Sequence, residues 1–215
     1  MNSVAVIDYG MGNLRSVSKA LEQVAAGTRV VVSSDADTLL QADRVVFPGQ
    51  GAMRDCMAEL QQRELGEVIR ACIASKPFLG ICMGLQVLMD FSQENDGRAG
   101  LGMIPGQVLR FAEGLSDPET GAKLKIPHMG WNEVAQTRDL PLWHGIAQGS
   151  RFYFVHSYYV QPDDQKLIAG TTAYPHNFAS ALAYDNVFAV QFHPEKSQHA
   201  GLALLANFLR WDGRA

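Results

Sequence analysis

The segment FLGICMGLQ, residues 78–86, determines how the fold is interpreted, because a single cysteine joins two differently patterned runs. Residues 78–81 are short and apolar, which is typical of a strand buried on both faces. Apolar side chains then recur at helical spacing, at Leu85, Leu88 and Met89. We therefore predict a strand that turns directly into a helix at Cys82, as in the βα unit of a parallel sheet.

The first ninety residues repeat this alternation, and the second half changes to short strands. Early strands are predicted at 4–7, 29–32, 45–47 and 78–81, with helical spacing between them at Leu60, Leu65, Val68, Ile69 and Ile73. Later strand-like runs lie at 107–111, 130–135, 151–160, 167–172, 179–183 and 187–192. Turn signals at Asp163-Asp164 and Asp185-Asn186 indicate hairpins, and 201–211 is predicted as an amphipathic helix with Leu202, Leu205 and Leu209 on one face. We predict one compact α/β domain with a central, mainly parallel sheet, helices on both faces and an antiparallel extension in the second half.

Composition narrows the function classes. The 215 residues are 47% hydrophobic and 19% charged, so the chain has material for a sizeable core. The net charge of −4 and the absence of a Lys/Arg run argue against nucleic-acid binding. Three cysteines without a C-x-x-C pair argue against a disulfide framework and a zinc site. We expect no metal and no cofactor. Residues 1–8 are typical of a first strand rather than a signal peptide, which favours a cytoplasmic protein.

Cys82 is the candidate nucleophile, because it stands in the pattern G-x-C-x-G between Gly80 and Gly84. The glycines permit a sharp turn, and the start of the following helix supplies N–H groups and partial positive charge, both of which favour the thiolate. The alternative is a small core hydrophobe, which fits Cys56 and Cys72 well.

A thiol nucleophile needs a base and a group that orients the base. His193 is the candidate base because it follows the apolar run 187–192 and so belongs at a strand end, whereas the other five histidines suit surface or packing roles. Glu195 lies two residues later, beyond Pro194, and could contact one ring nitrogen while the other faces the thiol. His-Pro-Glu alone is a weak motif, but with G-x-C-x-G it forms a specific constellation.

A third feature is the loop after the strand at 45–47, which contains Gly49, Gln50 and Gly51. Acyl transfer needs N–H donors aimed at the developing oxyanion. The backbone of this loop and that of Met83 are candidates, although an ordinary glycine turn is an equally good interpretation of the loop alone.

These motifs resemble the class I (triad) glutamine amidotransferases. More narrowly, the chain is similar to the glutaminase subunits of imidazole glycerol phosphate synthases. The narrower resemblance is carried by three segments, DYGMGNL at 8–14, PHMGWN at 127–132 and FVHSYY at 154–159, and the likeness runs from about residue 4 to residue 208. It implies a flavodoxin-like fold in a single glutamine amidotransferase type-1 domain over residues 1–215.

The resemblance also implies site roles and a partner. Cys82, His193 and Glu195 would hydrolyse L-glutamine, and Gln86, Ser157 and Tyr158 would hold its amino-acid part. Ammonia would pass to a (β/α)₈-barrel cyclase subunit in a heterodimer, which makes imidazole glycerol phosphate and AICAR in histidine biosynthesis. Residues near that interface would be Asn13, Met129, Trp131 and Lys196. The oxyanion loop of this family commonly has a small apolar residue between its glycines, where this chain has Gln50. Because the donor at this position is the backbone N–H, the difference bears on the flexibility of the loop more than on catalysis.

Three alternatives remain open on the sequence. The chain could serve another ammonia acceptor with the same triad chemistry. It could be a related thiol hydrolase, such as a γ-glutamyl hydrolase or a cysteine peptidase. It could also be a catalytically silent binding subunit, although the intact triad argues against that.

Overall fold

A computed structural model describes residues 2–116 and 121–214. Its helices are α1 Leu14–Val24, α2 Ala36–Gln41, α3 Met53–Gln62, α4 Leu65–Ser75, α5 Met83–Gln86 and α6 Gln198–Arg210. Its strands up to the middle of the chain are β1 Ser3–Ile7, β2 Arg29–Ser33, β3 Arg44–Gly49, β4 Phe78–Cys82, β5 Met89–Ser92, β6 Arg98–Ala99 and β7 Ile104–Arg110. The later strands are β8 His128–Glu133, β9 Ala135–Gln136, β10 Arg151–His156, β11 Tyr158–Pro162, β12 Ile168–Ala173, β13 Asn177–Tyr184 and β14 Val187–Val190.

Twelve of the described strands form one mixed sheet, in the order β2-β1-β3-β4-β14-β13-β11-β7-β5-β6, with β12 and β9 attached beside β13. The five strands from β2 to β14 run parallel, and antiparallel pairing begins at β14 and β13. Strands β8 and β10 form a separate antiparallel pair. The predicted parallel centre with an antiparallel extension is therefore confirmed.

Helices cover both faces of the parallel part, because alternate residues of each buried strand point to opposite sides. Val4 and Val6 of β1 pack into one apolar cluster with α1 and α6. Ala5 and Ile7 pack into the other with α2, α3 and α4. This arrangement confirms the predicted fold class. Of the helices in the described residues, none is both long and apolar enough to cross a bilayer.

The turn from β4 to α5 is built around glycines that have no room for a side chain. A Cβ on Gly84 would lie 1.9 Å from the carbonyl oxygen of Phe47, and one on Gly80 would lie 2.6 Å from the carbonyl oxygen of Gly84. Cys82 itself has φ +56° and ψ −107°, a conformation that L-residues rarely adopt. The packing of β3 against the turn thus holds Cys82 in a strained position.

Four predictions about secondary structure were wrong, and three of them concern the helix after Cys82 and the strands 151–172. The helix after Cys82 ends at Gln86, and Met89 begins strand β5 instead of continuing the helical face. The run 151–160 is two strands, interrupted at Ser157, so that one half pairs with β8 and the other with β7. Asp163-Asp164 does not close a hairpin, because β11 and β12 each pair with β13 rather than with each other.

The closing helix was placed three residues too late. It spans Gln198–Arg210 and excludes Trp211. Leu205 and Leu209 are buried as predicted, whereas Leu202 is only partly buried at the margin of the cluster. The hairpin signal at Asp185-Asn186 was correct, since Tyr184 pairs with Val187 across it.

We expect Gly84→Ala to lower the free energy of unfolding by about 3 kcal/mol, because the new methyl group overlaps a backbone carbonyl that cannot move without displacing β3. Urea denaturation measures the effect. Gly66→Ala, within α4, is the matched control, because a Cβ there would contact only Leu101 Cδ2, at 3.9 Å. The free energy of unfolding of this variant should rise by about 0.5–1 kcal/mol, since alanine favours a helix over glycine. Equal stability of the two variants would contradict a glycine-dependent turn.

Candidate active site

Cys82 and His193 meet at one edge of the sheet because their strands are neighbours. Cys82 ends β4, and His193 lies three residues beyond the end of β14. The two strands pair in parallel, with Val190 opposite Ile81, so the segments that follow them leave the sheet at the same edge. The structure thus brings together the two groups that the sequence separates by more than a hundred positions.

Glu195 orients the imidazole of His193. A 3₁₀ turn over Pro194–Lys196 brings the carboxylate back towards the ring, and His193 Nδ1 lies 2.9 Å from Glu195 Oε1. The two side chains are 2% and 1% exposed. Burial lowers the pKa of His193, but the interactions of the ring with Cys82 and Glu195 outweigh burial and raise the pKa to about 10. At neutral pH the ring is therefore an imidazolium held between sulfur and carboxylate.

Two buried atoms of this pair lack a partner among the described residues. They are Nε2 of His193 and Oε2 of Glu195. An unpaired buried N–H is rare and unfavourable, and here it belongs to the ring nitrogen that is not engaged by Glu195. His193 Nε2 is thus free to exchange a proton with a group bound beside Cys82.

A cavity of about 410 Å³ opens over the sulfur. Its lining includes three predicted oxyanion residues, all three predicted substrate residues and one predicted interface residue. They are Gln50, Gly51, Met83, Gln86, Ser157, Tyr158 and Lys196. A larger cavity of about 700 Å³, near Arg138 and Trp211, contains none of the predicted site residues. The smaller cavity is therefore the candidate active site.

Gly49, Gln50 and Gly51 follow β3 directly beside the nucleophile. Gly49 pairs in register with Cys82 and lies below the cavity surface, where a Cβ would come within 2.5 Å of Met83 Cβ. Gln50 and Gly51 reach the cavity, and Gly51 has φ +93°. Met83 is the first residue of α5 and also lines the cavity. Gln50, Gly51 and Met83 thus line the same cavity as Cys82.

Two further polar residues of the site were missed by the sequence interpretation. Gln191 is fully buried, and its Nε2 lies 3.7 Å from Cys82 Sγ. Glu94 lines the cavity, where its Oε2 accepts a hydrogen bond from the Met53 N–H at 2.7 Å. Burial raises the pKa of Glu94, and that hydrogen bond partly opposes the rise. The sequence signal for Gln191 was its position two residues before His193.

A buried pair of histidines, His128 and His156, adjoins the cavity, and the pKa of each ring is shifted in the direction opposite to that of His193. His156 lines the cavity, and its Nε2 lies 2.9 Å from His128 Nδ1. Burial lowers the pKa of His156 to about 3 and that of His128 to about 4, so both rings are neutral. Because His156 Nδ1 faces the Tyr158 carbonyl oxygen at 2.7 Å, that nitrogen carries the hydrogen and Nε2 accepts from His128.

The residues predicted to contact a partner occupy different settings. Met129 and Trp131 are 62% and 43% exposed on β8. The Lys196 ammonium lies over the ring of Tyr153, 5.7 Å from its centre, and Tyr153 in turn contacts Trp131. Asn13 caps α1, where its side chain accepts from the Ser16 N–H at 3.3 Å. An apolar surface, which we call the exposed aromatic surface, is formed by exposed Met129 and Trp131 with half-buried Tyr153, and it reaches the cavity at Lys196.

Comparison with known proteins places the chain in a family. Residues 5–211 match the model described as Glutamine amidotransferase class-I, and the chain belongs to that family. Similar curated proteins are named imidazole glycerol phosphate synthase subunit HisH. Those of Nitrosococcus oceani and Methylococcus capsulatus are each 60% identical over 213 residues, covering 99% of this chain and 99% and 98% of theirs. That of Pseudomonas aeruginosa is 56% identical over 214 residues, covering 100% of this chain and 99% of its own.

Solved structures share the fold at low identity. One is PurLQS from Thermotoga maritima, with a TM-score of 0.70 at 17% identity, covering 97% of this chain and 98% of that one. Another is the glutaminase domain of Trypanosoma brucei CTPS with bound acivicin, with a TM-score of 0.65 at 18% identity, covering 99% and 95%. At this identity the likeness supports the fold alone.

The opposite pKa shifts of the buried histidines give a test. In ¹⁵N NMR spectra of histidine-labelled protein, we expect His193 to stay doubly protonated from pH 6.5 to pH 9 while His128 and His156 stay neutral. Glu195→Gln should lower the pKa of His193 by at least about one unit, because a neutral amide no longer stabilises the cation. Glu133→Gln, which changes an exposed carboxylate, should leave the titration unaltered. A neutral His193 ring at pH 7 would contradict this description of the site.

Proposed function

We propose that the chain is the glutaminase subunit of an imidazole glycerol phosphate synthase. In this role it hydrolyses L-glutamine to glutamate and ammonia through Cys82, His193 and Glu195. The observation that carries the proposal is the buried His193–Glu195 pair beside a strained cysteine, beneath a cavity of about 410 Å³. Membership of the class-I glutamine amidotransferase family and the names of its relatives support it.

The chemistry follows from the charge distribution. The Cys82 thiolate attacks the side-chain carbonyl carbon of glutamine, and the carbonyl oxygen becomes an oxyanion facing the N–H groups of Gln50, Gly51 and Met83. His193 Nε2 transfers its proton to the departing amide nitrogen, which leaves as ammonia. Water then attacks the thioester, gives a proton back to His193 and releases glutamate. The sum is glutamine plus water to glutamate plus ammonia.

The amino-acid part of glutamine lies towards Gln86, Ser157 and Tyr158. Gln86 donates from Nε2 to the Tyr158 carbonyl oxygen and to Gln191 Oε1, so Oε1 is its remaining polar atom. An acceptor of this kind suits the α-ammonium group of glutamine, and so does the Glu94 carboxylate in the same cavity.

A partner is needed because free ammonia is mostly ammonium at neutral pH, and ammonium has no lone pair with which to attack. The exposed aromatic surface of Met129, Trp131 and Tyr153 adjoins the cavity through Lys196. A cyclase subunit bound there would cover the cavity mouth and receive ammonia before it reaches solvent. Lys196 would lie at the junction, and Asn13, at the start of α1, would lie near the same edge of the sheet.

Another ammonia acceptor is the nearest alternative, since the triad chemistry would be the same. The curated relatives named as this synthase subunit, at up to 60% identity over nearly the whole chain, favour the proposal over that alternative. A γ-glutamyl hydrolase or peptidase would need space for a longer substrate beyond the side chains of Gln86 and Glu94.

We expect Cys82→Ala to abolish glutamine-dependent synthesis by the complex, while synthesis supported by added ammonium salts continues at the wild-type rate. The reason is that the nucleophile is lost but the acceptor site on the partner is untouched. Product formation with each nitrogen source measures both activities. Cys72→Ala is the control, because Cys72 is also buried but lies in α4 against Leu39. Loss of both activities in Cys82→Ala alone would show that Cys82 acts structurally.

We expect Trp131→Ala to raise the Kd for the cyclase subunit by at least about tenfold, because exposed tryptophans that become buried dominate interface energies. Titration calorimetry with the cyclase subunit from the same organism measures the change. Leu40→Ala serves as control, since Leu40 is 41% exposed, close to the 43% of Trp131, but lies on α2. If both substitutions had the same effect, the aromatic surface would not be the binding face.

A further inference from the structure

Gln191 is a buried amide in direct contact with the candidate nucleophile. It follows β14, is 0% exposed, and its backbone N–H donates to the Ser180 carbonyl oxygen at 2.9 Å. Its Nε2 lies 3.7 Å from Cys82 Sγ, within the range of an N–H···S hydrogen bond. The proposed mechanism gives this contact no role.

The orientation of the amide follows from its neighbours. The Tyr158 carbonyl oxygen accepts only, so the Gln86 atom at 3.2 Å from it is the amide nitrogen. The same nitrogen lies 3.0 Å from Gln191, whose facing atom must therefore be the oxygen Oε1. The nitrogen of Gln191 is then turned towards Cys82. The hydrogen bonds therefore determine that the amide nitrogen of Gln191 faces the sulfur.

The Tyr158 carbonyl oxygen is itself held in place. His156 Nδ1 donates to it at 2.7 Å, and His156 in turn accepts from His128. Asn132 Nδ2 donates both to His128 Nε2 at 3.2 Å and to the Ala173 carbonyl oxygen at 3.0 Å. Two runs of hydrogen bonds thus meet at the Tyr158 carbonyl oxygen: one leads from Asn132 through the histidine pair, and the other comes from Gln86, which also donates to Gln191.

We propose that Gln191 is a further catalytic residue, which donates a hydrogen bond to the Cys82 thiolate and holds Sγ in its attacking position. The inference rests on the proposed function, because it assigns Cys82 as the nucleophile. A thiolate that is only 7% exposed is stabilised by donors from the protein, and a neutral amide supplies one without adding a charge that would compete with His193. Gln86 and His156 are positioning residues in this scheme, since they act on the sulfur only through Gln191.

The sulfur is surrounded by other titratable groups, which the experiment must hold constant. His193, with Glu195 behind it, provides the positive charge at the sulfur. Tyr9, below the loop at Gly49, has a pKa raised by burial and is neutral. Glu94, Lys196 and neutral His156 line the cavity. None of these groups changes in a substitution at Gln191.

The test uses Gln191→Met, which preserves length and removes the donor, and measures alkylation of Cys82 by iodoacetamide in the full chain. Peptide mass spectrometry distinguishes Cys82 from buried Cys56 and Cys72. We expect the pH midpoint of alkylation to rise by about one unit, so that the rate falls about tenfold on the acidic side of that midpoint, because the thiolate has lost a donor. In glutamine hydrolysis kcat should fall more than KM rises.

Gln191→Glu provides a second variant of nearly the same shape. Its carboxylate still accepts from Gln86 but turns an acceptor oxygen towards the sulfur, so the alkylation rate should fall further than in Gln191→Met. The matched control is Ser180→Ala, which removes the buried hydroxyl that accepts from Thr172 at 2.9 Å on the neighbouring strand and leaves the cavity untouched. Its alkylation profile should equal that of the wild type.

Urea denaturation first establishes which Gln191 variants are folded. If the alkylation profile of a folded variant stays at the wild-type position, the proposal is overturned, even if turnover falls. The proposed function fails by a different result, namely glutamine hydrolysis that survives in Cys82→Ala. Because alkylation requires no turnover of glutamine, the two failures are distinguishable.

Discussion

The positive φ of Cys82 is the constraint on which the rest of the site depends. A non-glycine residue in such a conformation costs on the order of 1–3 kcal/mol and persists only when its surroundings leave no alternative. Here the surroundings are backbone atoms: the Phe47 carbonyl oxygen excludes a Cβ at Gly84, and the Gly84 carbonyl oxygen excludes one at Gly80. The close packing of β3 on the turn therefore stabilises a geometry that points the sulfur out of the sheet edge and into a cavity.

The same buried edge holds histidines in opposite protonation states, and the cause is the partner of each ring. His156 and His193 are both almost fully buried, which by itself favours the neutral form. His156 meets a carbonyl oxygen and a second histidine, neither of which carries negative charge, so its pKa falls to about 3. His193 meets a carboxylate and a sulfur, so its pKa rises to about 10. One carboxylate thus separates a charged imidazole ring from a neutral one.

The sequence predicted the parts of the fold and site that local pattern determines. Strand ends are visible as the ends of apolar runs, so Cys82 and His193 could both be assigned to the edge where they lie. Met89 could not, because helical spacing cannot distinguish a continuing helix from a strand that begins after one turn. Glu94 and Gln191 escaped notice because their roles arise from contacts across the fold, to Met53 and to Cys82, which no local spacing encodes.

The cavity lies beside the surface of Met129, Trp131 and Tyr153, which it meets at Lys196. The carboxyl ends of β3, β4 and β14 deliver the reacting groups to one edge of the sheet, so the cavity opens outward rather than towards the core. Strands β8 and β10 stand apart from the main sheet as a separate pair. Their alternation turns His128 inward to the hydrogen-bonded chain and Met129 outward to solvent. A single short strand therefore touches both the surface suited to a partner and, through buried polar contacts, the amide that faces the nucleophile.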